Sequence, residues 1–194
     1  MYAHSMVATA LLALLVAGPR PAGASPAGVG AVPFDSLPPY SAPTTLAAEH
    51  YEIFDELHDA TLESGRVGDA ARSLAGLLGP HFVKEQEYAL PPLALLPALA
   101  RGESYEEMRE ILDLTDRLAV ELPALLEEHE AIAAAAEELR AAATDGGRPE
   151  LEHLTELVLR HAQNEESVTY PAALLVGRIV EFRLGRTAWY PDPR

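Results

Sequence analysis

The chain has 194 residues, of which 48% are hydrophobic, so it is long enough for one domain with a sizeable core. Its formal net charge is −16, and only one of its 14 basic residues is a lysine, which argues against nucleic acids and anionic membrane surfaces as partners. Cysteine is absent, which excludes thiolate metal sites, iron–sulfur clusters, disulfides and a cysteine-linked lipid anchor. Alanine and leucine dominate and no stretch alternates with period two, so the sequence predicts an all-α fold.

The first 43 residues are predicted to be a leader and linker. Residues 7–18 form an apolar run of signal-peptide length, and Ala22-Gly23-Ala24 matches an A-x-A-type cleavage site. Because no Lys or Arg precedes the apolar run, a disordered Ala/Pro-rich leader is the alternative. A cleaved signal peptide would make the mature protein secreted or periplasmic, whereas the alternative leaves it in the cytoplasm. In both cases the Pro-, Ala-, Ser- and Gly-rich residues up to 43 serve as a linker.

Apolar residues at helical spacing predict two helices in the first half of the domain. The first is expected over residues 46–63. The second is expected over residues 67–90, with a kink at Pro80, which removes one backbone hydrogen bond. A short extra segment follows over residues 91–102.

Two further helices are predicted in the second half. A capping box at Ser104-x-x-Glu107 opens the third helix, which continues to about residue 144 with a kink or break at Pro123. The fourth begins near Pro149 and is interrupted at Pro171. A last amphipathic stretch then runs to about residue 184.

The two halves carry the same pattern. Residues 74–96 align with residues 154–176 at a shift of 80, and residues 46–53 align with residues 125–132 at a shift of 79. Each half therefore reads as a histidine followed by His-x3-Glu-x5-Pro, and such internal repeats constrain the architecture. The repeat selects four of the seven histidines and two glutamates: His50, His81, Glu85, His129, His161 and Glu165.

These six side chains are predicted to point into the core. At about 100° per residue, His81 lies within roughly 60° of Leu74 and Leu78, and the other three histidines also lie within apolar stripes. Glu85 and Glu165 follow one turn later, so they point inward too. A buried unpaired carboxylate costs several kcal/mol. A pair of metal ions is the simplest common partner for two carboxylates and four imidazoles.

The predicted hairpin turns place the four histidines at the same height in the bundle. The midpoints between successive histidines fall near residues 65, 105 and 145, all in turn-like sequence. At 1.5 Å per residue, each histidine is then roughly 20 Å from its turn. We therefore predict an up-down-up-down antiparallel four-helix bundle over residues 44–185, with short extra helical segments after helices 2 and 4. Residues 186–194 are a tail without an assignable role.

Other polar residues near the pattern are predicted to be structural. A single His-x3-Glu is usually a surface pair, and only the doubled motif indicates metal. His58 and His153 have no repeat counterparts and are interpreted as edge or surface residues. Tyr88 is expected to pack in the core. The acidic residues around the third histidine are expected to form a solvated face: Glu127, Glu128 and Glu130.

The doubled motif resembles the hemerythrin-like HHE cation-binding domain. The resemblance covers about residues 37–185 and rests on these residues: His50, His81-x3-Glu85 with the following EYALPP, His129, and His161-x3-Glu165 with the following Tyr170-Pro171. It implies a hemerythrin-like four-helix bundle that holds two non-haem iron ions. It also implies that the four histidines are terminal ligands and that the two glutamates bridge the irons.

The donor types fit this resemblance without selecting the metal. Imidazole and carboxylate suit iron, manganese or zinc, so iron is what the resemblance implies, and manganese or zinc are alternatives. A ferritin-like site needs Glu-x-x-His on two helices, and only Glu150-x-x-His153 fits, so we reject it. Oxygen-carrier hemerythrins have a His-x3-His on the third helix, where this chain has Leu125 and Ala133 around His129. They also have an aspartate in place of Glu165.

Three functions remain open from the sequence. The first is a di-iron protein that binds or reacts with O2, peroxide or NO, with peroxide or O2 reduction as its enzymatic form. The second is an iron-binding or iron-sensing protein without turnover, and the third is a reversible oxygen carrier. The expected partner is a small diatomic or peroxide ligand, with no nucleic acid and no membrane insertion of the mature domain.

Overall fold

The computed structural model describes residues 41–103 and 106–185. The leader, with its apolar run and cleavage site, and the tail over residues 186–194 lie outside the described residues. Every regular element within the described ranges is helical, so the prediction of an all-α fold is confirmed. None of the helices in these ranges combines the length and the apolar character needed to cross a membrane.

Six α-helices follow one another along the described chain. Their bounds are α1 Thr44–Thr61, α2 Arg66–Lys84, α3 Leu96–Ala100, α4 Glu110–Gly146, α5 Pro149–Asn164 and α6 Tyr170–Arg183. One π-helical turn follows α2 and another follows α5, and 3₁₀ segments precede α3 and α4. These shorter elements are Glu85–Ala89, Pro91–Leu95, Glu106–Arg109 and Glu165–Thr169. The predicted break at Pro123 is not found, because α4 continues through this residue as one helix.

Four of these helices enclose the main core. Helix α2 packs against α1 and α4, and α5 packs against α4 and α1. Each contributes buried apolar side chains to one cluster, which includes Phe54, Leu57, Leu74, Leu78, Phe82, Ile132, Leu139, Leu154 and Val158. Burying one such side chain contributes about 1.5–3 kcal/mol, so this layer is a principal source of stability.

The turns after α1 and after α4 lie at the same end of the molecule. Gly65 and Gly147 adopt φ values of 81° and 67°, the left-handed region that favours glycine at a tight turn. Arg148, beside the second turn, donates to both oxygens of Glu63, beside the first, at 2.5 and 2.6 Å. Arg66 and Asp145 add an exposed ion pair of 2.6 Å between the same two turns.

The two π-helical turns begin at the glutamates of the repeated motif. The Leu90 amide donates to the Glu85 carbonyl at 2.9 Å, and the Tyr170 amide donates to the Glu165 carbonyl. Each is an i→i+5 bond, and the next residue in each copy is proline, which has no N–H to continue the helical ladder. The α-helix expected to reach residue 90 therefore ends at Lys84. The interruption expected at Pro171 begins six residues earlier, at Glu165.

Candidate metal centre

The six residues selected by the repeat lie in one buried layer of the bundle. His50 is on α1, His81 on α2, His129 on α4 and His161 on α5, while the glutamates begin the two π-helical turns. None of the six is more than 5% exposed. The structure therefore brings together all of the side chains that the sequence analysis singled out.

The donor atoms form two groups that share both glutamates. Position A consists of His50 and His161 with Glu85 and Glu165, and position B consists of His81 and His129 with the same two glutamates. Within each group, one ligand atom from every residue lies within 4.8 Å of the others. This spacing is compatible with one cation at each position.

Each carboxylate presents one oxygen to each position. Glu85 places Oε2 at 3.3 Å from Nε2 of His50 and Oε1 at 3.4 Å from Nε2 of His81. Glu165 places Oε1 at 3.3 Å from Nε2 of His161 and Oε2 at 3.4 Å from Nε2 of His129. The two glutamates thus lie between the positions, in the arrangement that a bridging ligand requires.

Several donor atoms have no hydrogen-bond partner within the part of the chain that the structure describes. They are Nε2 of His50 and His161 and Oε2 of Glu85 and Glu165. In position B, the Nε2 atoms of His81 and His129 face each other at 2.9 Å. Buried polar atoms without partners are costly and therefore uncommon, and these atoms converge on the two positions. The residues present consequently fit a pair of cations.

The electrostatics of the two carboxyl groups reflect their proximity. Burial and the charge of Glu85 raise the pKa of Glu165. Burial also opposes ionisation of Glu85, but its contact with His81 and the charge of His50 outweigh burial and lower its pKa. Two adjacent buried carboxylates therefore resist ionising together unless a positive charge lies between them.

Burial favours the neutral form of three of the histidines. Desolvation lowers the pKa of His50 to about 4 and also lowers the pKa of His129 and His161. For His81, burial lowers the pKa, but contacts with Glu85 and Glu128 outweigh it and raise the value. The neutral imidazole is the metal-binding form, so burial favours that form in three of the four candidate ligands at ordinary pH.

A ring of outer partners faces the Nδ1 atoms of the four histidines. The Nδ1 atom of His81 lies 3.0 Å from a carboxylate oxygen of Glu128, and that of His129 lies 2.9 Å from one of Glu166. The Nδ1 atom of His161 lies 3.4 Å from an oxygen of Glu49, and that of His50 lies 3.3 Å from the amide nitrogen of Gln86. A carboxylate that accepts the Nδ1 proton leaves the Nε2 lone pair free for a metal. Glu128 and Glu166 therefore stabilise the metal-binding tautomer of His81 and His129, whereas Glu49 lies near Nδ1 of His161 without forming a hydrogen bond to it.

Glu128 corrects one interpretation from the sequence. It was expected on a solvated face, but it is half-buried, and one of its oxygens accepts from Nδ1 of His81 while the other accepts from Nζ of Lys84. The repeat contained a signal for this role, because Glu precedes His in both Glu49-His50 and Glu128-His129. The contacts themselves cross between helices, so spacing along one helix could not reveal them.

Tyr170 is a further residue at the site. Its hydroxyl donates to Oε1 of Glu85 at 2.5 Å and lies 3.3 Å from Nε2 of His129. Its ring is fully buried and stacks on the His129 imidazole with a centroid distance of 5.7 Å. Burial and the charge of Glu85 raise the pKa of Tyr170, which keeps its phenol proton in place. Its repeat counterpart is Leu90, so the repeat did not identify it.

The remaining residues considered in the sequence analysis lie apart from the donor groups. Tyr88 is fully buried in an apolar cluster with Tyr170, and Arg117 lies 4.2 Å from its ring centroid. Its hydroxyl has no hydrogen-bond partner in residues 41–103 and 106–185. His153 is exposed beside Glu156 and His58 is half-buried, and neither belongs to the two donor groups. Phe82 stacks on His50 at a centroid distance of 3.9 Å and so forms an apolar wall of position A.

Comparison with known protein families identifies a domain that covers most of the chain. The family model described as the hemerythrin HHE cation binding domain matches residues 42–173. No curated protein and no solved structure matches the chain significantly.

Proposed function

The chain belongs to the hemerythrin HHE cation-binding family, and on that premise we propose that its six buried donors hold two non-haem iron ions. The observation that carries the proposal is the placement of Glu85 and Glu165, each with one oxygen toward each position. Two carboxylates shared between two pairs of imidazoles suit two cations better than one.

Each residue has a definite role in this proposal. His50 and His161 are the terminal ligands at position A, and His81 and His129 are those at position B. Glu85 and Glu165 would each offer one oxygen to either ion. The preference for iron comes from the family, because the same donors also suit manganese or zinc. We also propose an up-down-up-down bundle, which the contacts between Glu63 and Arg148 across two hairpin turns support.

The protein's proposed activity is to bind or react with a small oxidant such as O2, peroxide or NO. When present, two iron ions would supply electrons and open coordination positions for this chemistry. The chain itself holds a proton on the Tyr170 hydroxyl beside Glu85, and Phe82 and the buried apolar cluster keep bulk water away from the imidazoles. A small ligand without charge suits such a site, and the net charge of −16 argues against nucleic acid.

Reaction with the oxidant is proposed ahead of reversible oxygen carriage. The positions four residues from His129 on α4 are Leu125, which is fully buried in an apolar cluster, and Ala133. Neither can donate a nitrogen, so position B has fewer imidazoles than the site of an oxygen carrier. Iron binding or sensing without turnover is the second candidate, because the donor groups alone would serve it equally well.

The test combines metal analysis with optical spectroscopy. Protein produced in iron-replete medium should contain about two irons per chain and should show near-UV charge-transfer bands that change with O2, azide or peroxide. Two irons with a spectrum that none of these reagents changes would favour sensing or storage. A stoichiometry of one, or no metal after anaerobic loading with ferrous iron, would contradict the shared site.

A further inference from the structure

The outer partners of the four histidines repeat in the same way as the ligands, with one exception. Glu49 and Glu128 are equivalent at a shift of 79, and both contact an Nδ1 atom. At a shift of 80, Glu166 corresponds to Gln86, so a carboxylate faces His129 where an amide faces His50. The internal symmetry of the centre is therefore broken at Gln86.

An amide and a carboxylate differ in which ring nitrogen of a neighbouring histidine they allow to carry the proton. A carboxylate only accepts, so the imidazole proton stays on Nδ1 and Nε2 keeps its lone pair for a metal. An amide can also donate, and Nε2 of Gln86 lies 3.3 Å from Nδ1 of His50. When this N–H donates to Nδ1, the proton of His50 is on Nε2, and the amide has to turn its oxygen toward Nδ1 before His50 can bind a cation.

The two positions also differ in the charge of the side chains that face the Nδ1 atoms of their histidines. At position B both imidazoles meet a carboxylate, Glu128 at 3.0 Å and Glu166 at 2.9 Å. At position A one partner is the neutral Gln86, and the other, Glu49, lies farther away at 3.4 Å. Lys84 offsets part of the charge of Glu128, but it also holds that carboxylate in place against His81. Position B consequently has outer groups that lie closer to its imidazoles and carry more negative charge.

From these contacts we infer that Gln86 makes the two metal positions unequal, so that position B takes the first cation and position A the second. The inference rests on the proposed two-metal function. Outer partners of ligating histidines typically change metal affinity by about 10–100-fold, so we expect position B to bind at least about tenfold more tightly. Gln86 is thus a positioning residue that acts through His50.

The order of filling can be read from the histidine rings of the full chain. The metal-free protein is titrated with Zn²⁺, which is diamagnetic, and the ring ¹H–¹⁵N signals are followed and assigned with the single His→Ala variants. The first equivalent should move the signals of His81 and His129, and the second those of His50 and His161. The signals of His58 and His153, outside the donor groups, serve as internal references.

The decisive variant exchanges the two outer groups. Gln86→Glu combined with Glu166→Gln keeps the net charge of −16 and gives position A the two carboxylates. In this variant His50 and His161 should respond to the first equivalent. An unchanged order in the exchanged variant, or simultaneous movement of all four rings in the native chain, would overturn the inference. Absence of any Zn²⁺ response would instead contradict the proposed metal site itself.

Thermal melting of the metal-free proteins separates positioning from folding. Gln86 is half-buried and the Glu166 side chain is 44% exposed, so the exchanged variant should melt within a few degrees of the native chain. A reversed order at an unchanged melting temperature would show that the outer groups act on metal affinity. A reversed order accompanied by a large loss of stability would count against a positioning role.

Discussion

The hydroxyl of Tyr170 donates to Oε1 of Glu85 at 2.5 Å, although 85 residues separate the two along the chain. The bond joins the two π-helical turns, because Glu85 begins the first and Tyr170 follows the second. It therefore holds one of the two shared carboxylates in place from the opposite half of the repeat. Tyr170, whose repeat counterpart is the apolar Leu90, thus orients a glutamate that both copies of the repeat retain.

Replacing Tyr170 with phenylalanine should separate orientation from ligation. We expect the Tyr170→Phe protein to retain about two metals per chain, because the six donors remain. Its metal-free form should lose about 1.5–3 kcal/mol of stability in urea unfolding, since a buried carboxylate loses its donor. Tyr88→Phe is the matched control, because the buried hydroxyl of Tyr88 forms no hydrogen bond to any described residue. Equal losses in the two variants would contradict the role assigned to Tyr170.

Alanine substitutions should distinguish the four buried histidines from the others. Replacing His50, His81, His129 or His161 should reduce metal content, measured by elemental analysis, and remove most of the increase in melting temperature that metal gives. A ligand that binds only the folded state at 1,000 times its dissociation constant adds about 4 kcal/mol of stability. The same substitution at His58 or His153 should leave both quantities unchanged. Loss of iron in His153→Ala but not in His129→Ala would show the ligand assignment to be wrong.

Chelation should act on the native chain as the ligand substitutions do. Removing the metal with a chelator leaves the carboxylates of Glu85 and Glu165 adjacent in a buried site, with two of their oxygens unpartnered. The melting temperature should therefore fall on chelation and recover when ferrous iron is restored without oxygen. Calorimetry before and after the cycle measures both steps. A melting temperature that does not respond to chelation would argue against metal bound at this centre.

Oxygen cycling distinguishes reaction from carriage. The iron-loaded protein is reduced without air, exposed to O2 and then purged with argon while the near-UV bands are recorded. We expect the oxidised spectrum to persist after the purge. Leu125 and Ala133 supply no nitrogen donor near His129, so position B has fewer imidazoles than the site of a reversible oxygen carrier. Bands that vanish with argon and return with O2 over repeated cycles would identify a reversible carrier.

Helix α6 gives a test of packing that does not involve the metal donors. A Cβ added at Gly177 would lie 2.4 Å from Oγ1 of the buried Thr115 on α4, so Gly177→Ala should destabilise the protein by about 1–3 kcal/mol. Gly76→Ala is the opposite control, because Gly76 is exposed within α2 and has open space around it. This substitution should increase the free energy of unfolding by up to about 1 kcal/mol. Urea unfolding measures both. A stabilised Gly177→Ala protein would mean that α6 packs less closely on α4.

Much of the centre could be predicted from the sequence because its ligands obey local geometry. Residues four apart on one helix, such as His81 and Glu85, share a face, so the doubled His-x3-Glu pattern selected four side chains. The repeated histidine upstream of each copy added His50 and His129. Burial was harder to predict at the edges of the apolar stripes. Leu77 and Leu126 lie close to His81 and His129 in helical angle, yet each is 37% exposed.

The sequence by itself determined the helical class, the internal repeat and the candidate donors, since these depend on spacing along one chain segment. The tertiary structure decided which atoms meet across helices. It placed Glu128 against His81, Glu166 against His129 and Tyr170 against Glu85, none of which shares a helical segment with its partner. Such contacts depend on the relative rotation and height of packed helices, which no periodicity within one helix specifies.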